Sequence, residues 1–333
     1  MMKKDMKRVI IAASVILLFV LAASCARTAP EKDSSYERIL ASWVRVNYGS
    51  NYAPNDSGVY VLNFLQGTGK AVGDSSYVCA HYVRKDLAGN IKSTNYIDLC
   101  KQLGTYSDGD DYGSDIWHMG SKSIAAGLEQ ILSTMRVGGK ATVAMPPAMT
   151  HVSNVGYNAF PSSESDNVIY EVVIDDVIDD IYDVQESRLE EFSSKYYGGL
   201  DTIAEGFYYK LISETAGCDS IADEASVNVW YVGRRLDGTV FDTNIEDTAK
   251  KHRIYSSSGS YEAMSVTFYK DLASFISNSS NIQGFTRAIS MMKYGDTAET
   301  FFNSNYGYGE AGKSTSIAEY CPLFFRLYIE PKK

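Results

Sequence analysis

The chain contains two copies of one pattern, and this internal repeat constrains its fold more than any other feature. Residues 78–83 (VCAHYV) recur 149 positions later as residues 227–232 (VNVWYV). Residues 127–138 (GLEQILSTMRVG) recur 157 positions later as residues 284–295 (GFTRAISMMKYG). Two matches in the same order and at similar separations indicate two successive units of one fold.

Both copies show the same predicted order of elements. An amphipathic helix comes first, strand-like runs follow around a second, short helix that a glycine closes, and a strand ends the copy. We therefore predict an α+β protein of two domains, at about 36–183 and 184–333, each a mostly antiparallel sheet with one short helix across it. The predicted segments are first helices at 36–43 and 187–192, strands at 58–63 and 206–211, closing glycines Gly138 and Gly295, and final strands at 167–174 and 323–329.

The second copy contains a strong hairpin signal. Asp237-Gly238 separates the alternating run at 227–232 from a run that contains Phe241-Asp242. Asp-Gly between two strand-like runs is typical of a type I′ turn, in which both central residues take positive φ. The pattern predicts a two-stranded hairpin that carries Tyr231 on one strand and Phe241 on the other.

The first 25 residues are typical of a bacterial lipoprotein signal. Four basic residues precede a short apolar run, and small residues lead to Cys25. The run is shorter than the about 20 residues that span a bilayer. We expect residues 1–24 to be removed, Cys25 to be lipidated and residues 25–35 to form a tether to an envelope membrane. A single-pass anchor and an ordinary signal peptide are the alternatives.

Charge and cysteine content exclude some classes of function. The chain carries a net charge of −10; residues 1–24 hold four basic residues and one acidic residue, so their removal leaves −13. An acidic protein has no general affinity for nucleic acid. The sequence has no CxxC motif and its histidines are scattered, so no zinc site is predicted. An oxidising compartment would permit disulfides among the four cysteines that follow Cys25, with three pairings open: Cys79, Cys100, Cys218 and Cys321.

Two motifs imitate ligand-binding loops. Residues 307–314 (GYGEAGKS) match the phosphate-binding pattern, but Pro322 follows too soon for the helix that must hold the phosphate. Residues 107–115 (SDGDDYGSD) gather carboxylates like a calcium loop, but they lack its closing glutamate. We expect a glycine-rich turn and a solvated insertion loop, and we expect no nucleotide as a ligand.

A series of motifs in the second copy resembles the FKBP-type peptidyl-prolyl isomerases. The resemblance covers about residues 205–330 and depends on the order and spacing of the motifs. It implies the FKBP fold for this copy and isomerisation of Xaa-Pro bonds without a metal or cofactor. The motifs are Tyr231-x-Gly233, residues 237–242 (DGTVFD), residues 282–285 (IQGF), a helix that ends near Gly295, residues 306–309 (YGYG) and residues 323–325 (LFF).

The resemblance also implies a site for a prolyl ring between aromatic side chains. In the family, the Tyr308 position and the Ile282 N–H bond carbonyls of the bound peptide, and Asp242 would be the polar group at the edge. A further wall position falls near Val266. The implied partners are proline-containing unfolded or secreted polypeptides. The implied site residues are Tyr231, Phe241, Asp242, Ile282, Phe285, Tyr308 and Phe325.

Three departures keep alternatives open. Phe285 stands where the family has tryptophan, the segment from Asp242 to Ile282 is long, and residues 316–320 (SIAEY) replace a proline-rich loop. A non-catalytic peptide-binding or chaperone lipoprotein is therefore the first alternative, and a purely structural lipoprotein is the second.

The first copy keeps the tyrosine of this pattern as Tyr82 but loses other walls. Lys92-Ser93 replaces the Phe-Asp pair, and Leu128 takes the floor position. The equivalent of Tyr308 falls near His151, and Tyr170 could stand for the closing-strand aromatic. We therefore predict that the first copy does not catalyse and serves for binding or spacing.

Overall fold

The computed structural model describes residues 32–152, 165–216 and 219–331. The expected signal peptide, Cys25 and Cys218 lie outside these ranges. Within them, no helix is both long and apolar enough to cross a bilayer. Two antiparallel sheets with helices packed against them confirm the predicted α+β class.

The first unit is built on a six-stranded sheet. Its strands run in the order β1-β5-β6-β2-β3, and β4 pairs with β2 beyond the end of β3. Every pairing is antiparallel. The strands are β1 (Tyr60–Leu65), β2 (Tyr77–Asp86), β3 (Ile91–Thr94), β4 (Asp115–His118), β5 (Lys140–Met145) and β6 (Val168–Ile178).

The second unit repeats this topology strand for strand. Its order is β7-β11-β12-β8-β10, and β9 also pairs with β8. The first, fifth, sixth and second strands of each unit are thus neighbours in that order, so the sequence repeat is a structural repeat. The strands are β7 (Phe207–Ser213), β8 (Ser226–Arg235), β9 (Val240–Thr243), β10 (Met264–Thr267), β11 (Thr297–Phe302) and β12 (Leu323–Ile329).

Helices cover both faces of each sheet. Short α3 and α7 pack on one face, while the long first helices α1 and α4 pack on the other through Leu40 and Leu189. Strand side chains alternate between these two cores, as the period of two requires. The helices are α1 (Lys32–Tyr48), α2 (Ile97–Leu103), α3 (Ala126–Leu132), α4 (Ile181–Tyr197), α5 (Glu246–Lys251), α6 (Leu272–Asn278) and α7 (Gln283–Ser290).

The predicted helix caps at Gly138 and Gly295 are wrong. Helix α3 ends at Leu132 and α7 at Ser290, several residues before these glycines. Both glycines take positive φ, +81° and +80°, in the turn that leads to the next strand. Their conformational freedom therefore serves the helix-to-strand turn rather than the helix end.

The predicted hairpin forms between β8 and β9, but its turn is not type I′. Gly238 alone takes positive φ, +91°, and Gly238 N–H donates to Arg235 O. Arg235 pairs with Thr239 around a three-residue connection. A left-handed glycine at the third position is what such a three-residue loop requires. The first unit closes its hairpin in the same way around Gly89, which also has positive φ.

A β-bulge follows in each hairpin. In the second unit, Gly233 pairs with Asp242 and Arg234 with Val240, so Phe241 is the extra residue. In the first unit, Arg84 pairs with Ser93 and Lys85 with Ile91, so the extra residue is Lys92. A bulge redirects side chains where it occurs, and here it occurs at the position where the two copies differ.

Next to the bulge, both units have the same hydrogen-bonded Thr-Asn pair, here called the Thr-Asn clip. Thr243 Oγ1 donates to Tyr231 O, and Asn244 Oδ1 accepts from Tyr231 N–H at 2.8 Å. Thr94 and Asn95 make the same two bonds to Tyr82. The clip fixes the backbone of each site tyrosine in the same way.

The two units are in direct contact. Strand β6 ends at Ile178 and α4 begins at Ile181, so two residues join them. The loop expected to be solvated at 107–115 instead docks on the second unit. Gly109 is buried, and a Cβ there would lie 2.9 Å from Ile254 Cγ2. The expectation was wrong for this loop because its backbone carbonyls satisfy a buried arginine of the other unit, Arg235.

Three cysteines in the described ranges carry free thiols: Cys79, Cys100 and Cys321. No disulfide therefore joins any two of these three. Burial raises the pKa of the Cys79 thiol to about 11 and that of Cys321 to about 12.

Candidate functional site

The second unit holds a cavity of about 370 Å³ on the α7 side of its sheet. Strands β8, β9 and β12 supply its wall, and the start of α7 supplies its floor. All seven residues implied by the sequence resemblance line this cavity: Tyr231, Phe241, Asp242, Ile282, Phe285, Tyr308 and Phe325. The structure therefore brings the predicted residues together, and their part in turnover stays a prediction.

Aromatic rings meet edge to face at the base of the cavity. The rings of Tyr231 and Phe285 are 5.6 Å apart at 90°, and those of Phe285 and Phe325 are 5.4 Å apart at 83°. Phe241 adds a contact to Phe325 at 5.7 Å and 84°. Edge-to-face rings pack favourably and leave a rigid apolar surface. Phe285, at the position where the family has tryptophan, is 3% exposed and forms this floor.

Two glycines permit the rings to approach the backbone. A Cβ at Gly233 would lie 2.8 Å from Phe241 Cζ and from Phe325 Cε1. A Cβ at Gly284 would overlap the ring of Phe302, where α7 crosses the sheet. Both approaches are closer than van der Waals contact, so a larger residue at Gly233 would displace the cavity wall and one at Gly284 would displace Phe302 behind it.

Tyr231 and Asp242 form a polar pair at the cavity edge. The Tyr231 hydroxyl donates to Asp242 Oδ2 at 3.1 Å. Burial raises the pKa of Tyr231, and the Asp242 carboxylate raises it further. The phenol therefore stays protonated and keeps its hydrogen bond at physiological pH. This pair orients Tyr231 and leaves the remaining lone pairs of Asp242 available to a ligand.

Two further donors face the cavity. Lys313 Nζ donates to the Tyr308 hydroxyl at 3.2 Å, so the Tyr308 O–H remains free to donate elsewhere. Ile282 precedes the first turn of α7, with extended φ −62° and ψ 150°. Within the described chain, its backbone N–H donates to no other group. An unused amide at a helix start is suited to bind a carbonyl oxygen.

Four residues of the lining were not predicted from the sequence, and for one of them a neighbouring position was expected instead. The wall position expected near Val266 is taken by Met264, because side chains two apart on β10 share a face and Val266 is buried in the core. Ser280, Asn281 and Lys313 complete the lining. Met264, Ser280 and Asn281 lie in the long segment between Asp242 and Ile282, in which the sequence does not fix the strand register. Lys313 was interpreted only as part of the apparent phosphate-binding pattern.

The corresponding cavity of the first unit has different chemistry. It measures about 530 Å³, and Lys92, Ser93 and Asp115 stand where Phe241, Asp242 and Met264 line the other. Tyr82 remains in its wall. Tyr170 is buried beside Tyr82, with ring centres 6.3 Å apart, and neither Leu128 nor His151 reaches the lining.

The second unit closes this first cavity. Ser314, Thr315 and Ala318 complete its lining. Its carboxylates are Asp110, Asp111 and Asp115. It therefore lies between the two units and carries carboxylates, whereas the aromatic cavity is lined by the second unit alone.

The sequence matches a family model over residues 218–330, about a third of the chain: FKBP-type peptidyl-prolyl cis-trans isomerase. This range includes all seven cavity residues named above. The second unit is thus similar to the FKBP-type peptidyl-prolyl cis-trans isomerase family, which confirms the resemblance drawn from the motifs.

Two curated bacterial proteins are similar to part of the chain. The probable FKBP-type peptidyl-prolyl cis-trans isomerase FkpA of Neisseria meningitidis serogroup B is 30% identical over 144 residues, 43% of each chain. A probable FKBP-type peptidyl-prolyl cis-trans isomerase of Haemophilus influenzae is 27% identical over 142 residues, 42% of this chain and 49% of that protein. The chain thus matches less than half the length of these relatives.

Solved structures include more distant similarities. The three FKBP domains of wheat FKBP73 align with 85% of this chain and 98% of that one, at 15% identity and a TM-score of 0.31. A peptidyl-prolyl cis-trans isomerase from Pseudomonas syringae pv. tomato aligns with 45% of this chain and 91% of that one, at 21% identity and a TM-score of 0.32. Scores this low do not bear on the fold.

Proposed function

We propose that the chain is a peptidyl-prolyl cis-trans isomerase whose working site is the aromatic cavity of the second unit. One observation carries the proposal: seven residues at the family's site positions, scattered over about a hundred positions of sequence, line a single cavity. The substrate is the Xaa-Pro bond of an unfolded or secreted polypeptide.

The chemistry needs no acid or base. Rotation about a peptide bond crosses a barrier of about 18–20 kcal/mol because planarity preserves amide resonance. Before proline, cis and trans are close in energy but exchange in tens to hundreds of seconds. A site accelerates exchange when it binds the twisted amide better than either planar form.

The cavity offers what the twisted amide prefers. Aromatic walls accept the prolyl ring and exclude the water that stabilises the polar planar amide. The Tyr308 O–H and the Ile282 N–H can hold carbonyl oxygens while the acyl side turns. Asp242, held by the Tyr231 hydroxyl, supplies a polar group at the cavity edge.

An assay of the full chain on a Xaa-Pro peptide tests the proposal. Wild-type chain should accelerate cis-to-trans conversion, and Phe241→Ala or Tyr231→Ala should remove most of that rate because each opens the cavity wall. Tyr82→Ala, the matched change in the first unit, should leave most of it.

Other outcomes separate the alternatives. Peptide binding without turnover would favour a binding or chaperone module, for which Phe285 at the floor position is the supporting observation. Neither binding nor turnover would leave a structural role. Equal losses from Tyr82→Ala and Tyr231→Ala would contradict the assignment of the site to the second unit.

We further propose that the protein acts in a bacterial cell envelope, held there by lipid on Cys25. The basic and apolar N-terminal segment that leads to Cys25 supports this location, as do the bacterial sources of the two curated relatives. Metabolic labelling with a fatty acid tests it: label should appear in the wild-type chain and be lost in Cys25→Ala.

A further inference from the structure

One loop of the second unit lines both cavities. In the 307–320 loop, Tyr308 and Lys313 line the aromatic cavity, whereas Ser314, Thr315 and Ala318 line the cavity of the first unit. The base of the loop is closed by Tyr320 N–H, which donates to Gly309 O at 2.8 Å. A displacement of residues 314–316, here called the loop tip, would therefore be transmitted to one wall of the aromatic cavity.

The backbone of this loop is in a conformation that needs support. Ser314 and Tyr320 take positive φ, +56° and +54°, although neither is glycine. Left-handed backbone is unfavourable for residues with a Cβ and persists where surrounding contacts hold it. Part of this support comes from the first unit.

Arg235 joins the loop tip to the first unit. Its Nη1 donates to Ser316 O at 2.9 Å and to Gly109 O at 3.1 Å, and its Nη2 donates to Asp110 O at 3.1 Å. Its guanidinium also faces carboxylates of Asp111 and Asp237. The side chain is 9% exposed, so these bonds are shielded from water.

Two more contacts hold the same loop. Asp111 N–H of the first unit donates to Thr315 O at 2.7 Å. Tyr320 is buried against Tyr77 of the first unit, with ring centres 5.1 Å apart and edge to face. The loop is thus attached to the first unit at its tip and at its end.

The position of Arg235 connects this attachment to the site. Arg235 lies on β8 four residues after Tyr231, so the two share a face of the strand. A planar guanidinium can bond three carbonyls in fixed directions, which an ammonium group cannot reproduce.

We propose that Arg235 is a positioning residue of the isomerase site, which fastens the loop tip to loop 107–113 so that the non-catalytic first unit supports the catalytic one. This inference rests on the proposed function. The altered cavity of the first unit does not show what that unit does. This inference assigns it a role, which is to order the loop that carries Tyr308 and Lys313.

The test changes the contact from both sides in the full chain. Arg235→Lys keeps the charge but loses the fork, and Gly109→Val places a branched side chain against Ile254. Each should lower kcat/KM about tenfold, since small misplacements of a site are costly. Arg234→Lys is the control, because Arg234 lies over Phe324 on the opposite face of β8.

Hydrogen exchange of residues 313–320 supplies a readout apart from turnover. It should be faster in Arg235→Lys and Gly109→Val, at a temperature where circular dichroism shows both chains folded, and unchanged in Arg234→Lys. A protease-free assay of isomerisation should show the loss in kcat/KM in the same two variants.

The outcomes are distinguishable. Unchanged kcat/KM in both variants, with wild-type activity present, would overturn this inference and leave the proposed function intact. Unchanged exchange in the loop would overturn it as well. A wild-type chain without isomerase activity would overturn both the proposed function and the role of Arg235. The wild-type chain is therefore assayed first, before any variant.

Discussion

The Tyr308 hydroxyl can be tested with the cation beside it. Tyr308→Phe removes the free O–H donor at the cavity rim and keeps the ring. We expect kcat/KM to fall about fivefold to tenfold, the value of one hydrogen bond of ordinary strength. Lys313→Met keeps the aliphatic stem and removes the ammonium group that donates to Tyr308, so its loss should be smaller. Steady-state isomerase kinetics measure both.

The control for this pair is Tyr306→Phe. Tyr306 lies in the same loop region but packs on Phe207 and does not line the cavity. Its hydroxyl should therefore be dispensable. A larger loss from Tyr306→Phe than from Tyr308→Phe would assign the effect to loop packing rather than to a donor.

Single residues were predictable where their chemistry is tied to short spacing. Phe241 and Asp242 directly follow a recognisable turn, and Tyr231 repeats as Tyr82, so the sequence alone located them. Lys313 could not be found in this way, because its contact with Tyr308 depends on how a glycine-rich loop bends back. Met264 was missed by two positions because a short strand after a long connection has no fixed register in sequence.

The Thr-Asn clip contributes to the stability of each hairpin through buried hydrogen bonds. Asn244 and Asn95 are buried, and the side-chain amide of each bonds three backbone groups. Asn244→Ala and Asn95→Ala should each lower the free energy of unfolding by about 3 kcal/mol, because several buried partners lose their bonds at once. Urea denaturation followed by circular dichroism measures this change.

Asn47→Ala is the matched surface change. Asn47 is exposed and bonds only Trp43 O within its own helix, so its effect should remain within about 0.5 kcal/mol. If the two buried variants were as stable as Asn47→Ala, the clip would not hold the hairpin.

Elements were predicted more reliably than their ends. The repeat located first helices and strands in both units because periodicity and order reinforce one another over many residues. It misjudged Gly138 and Gly295, since a positive-φ glycine after a helix serves equally well in a later turn. The prediction of a type I′ turn was wrong for a similar reason. The Asp-Gly pair fits a three-residue loop with one left-handed residue as well as it fits a type I′ turn.

The contact between the units should make stability depend on pH. Burial raises the pKa of Asp115 in the first unit to about 7, and burial with the nearby Asp115 carboxylate raises that of Glu319 in the second. Asp111 adds to both shifts, while Asn95 and His81 oppose that of Asp115. Between about pH 4 and pH 7, these two carboxyl groups are therefore protonated in the folded chain and ionised in the unfolded chain, whose carboxyl pKa values are near 4.

The sign follows from linkage. Stability from these raised pKa values is fully present below about pH 4 and is lost as pH rises through about 7. Asp115→Asn removes a carboxylate whose buried charge destabilises the folded chain at pH 8. At pH 5 this carboxyl group is protonated in the folded chain and carries no charge. We expect it to raise the melting temperature, relative to wild type, more at pH 8 than at pH 5, measured by calorimetry.

Asp74→Asn provides the comparison, because Asp74 is exposed on the surface of the first unit. Its melting temperature should differ from wild type by a similar small amount at both pH values. A greater loss of stability in Asp115→Asn at pH 8 than at pH 5 would contradict the expected sign.

The arrangement of the units relative to each other was beyond sequence reasoning. Two copies of a fold can be counted from a repeat, but their contact depends on complementary surfaces that are far apart in the chain. Loop 107–115 has the composition of a solvated insertion, and only the position of Arg235 in three dimensions shows what its carbonyls bind.

The bulge shared by the two hairpins has a consequence for how such a site can arise or disappear. A bulged residue has no partner across the ladder, so its side chain can change without moving the register of its neighbours. Lysine at 92 and phenylalanine at 241 occupy this position beside the same Thr-Asn clip. The backbone of the hairpin is thus the same in both units, while the side chain at the bulge differs. A residue of the pocket wall can therefore be gained or lost in evolution without a change in the pairing of the sheet.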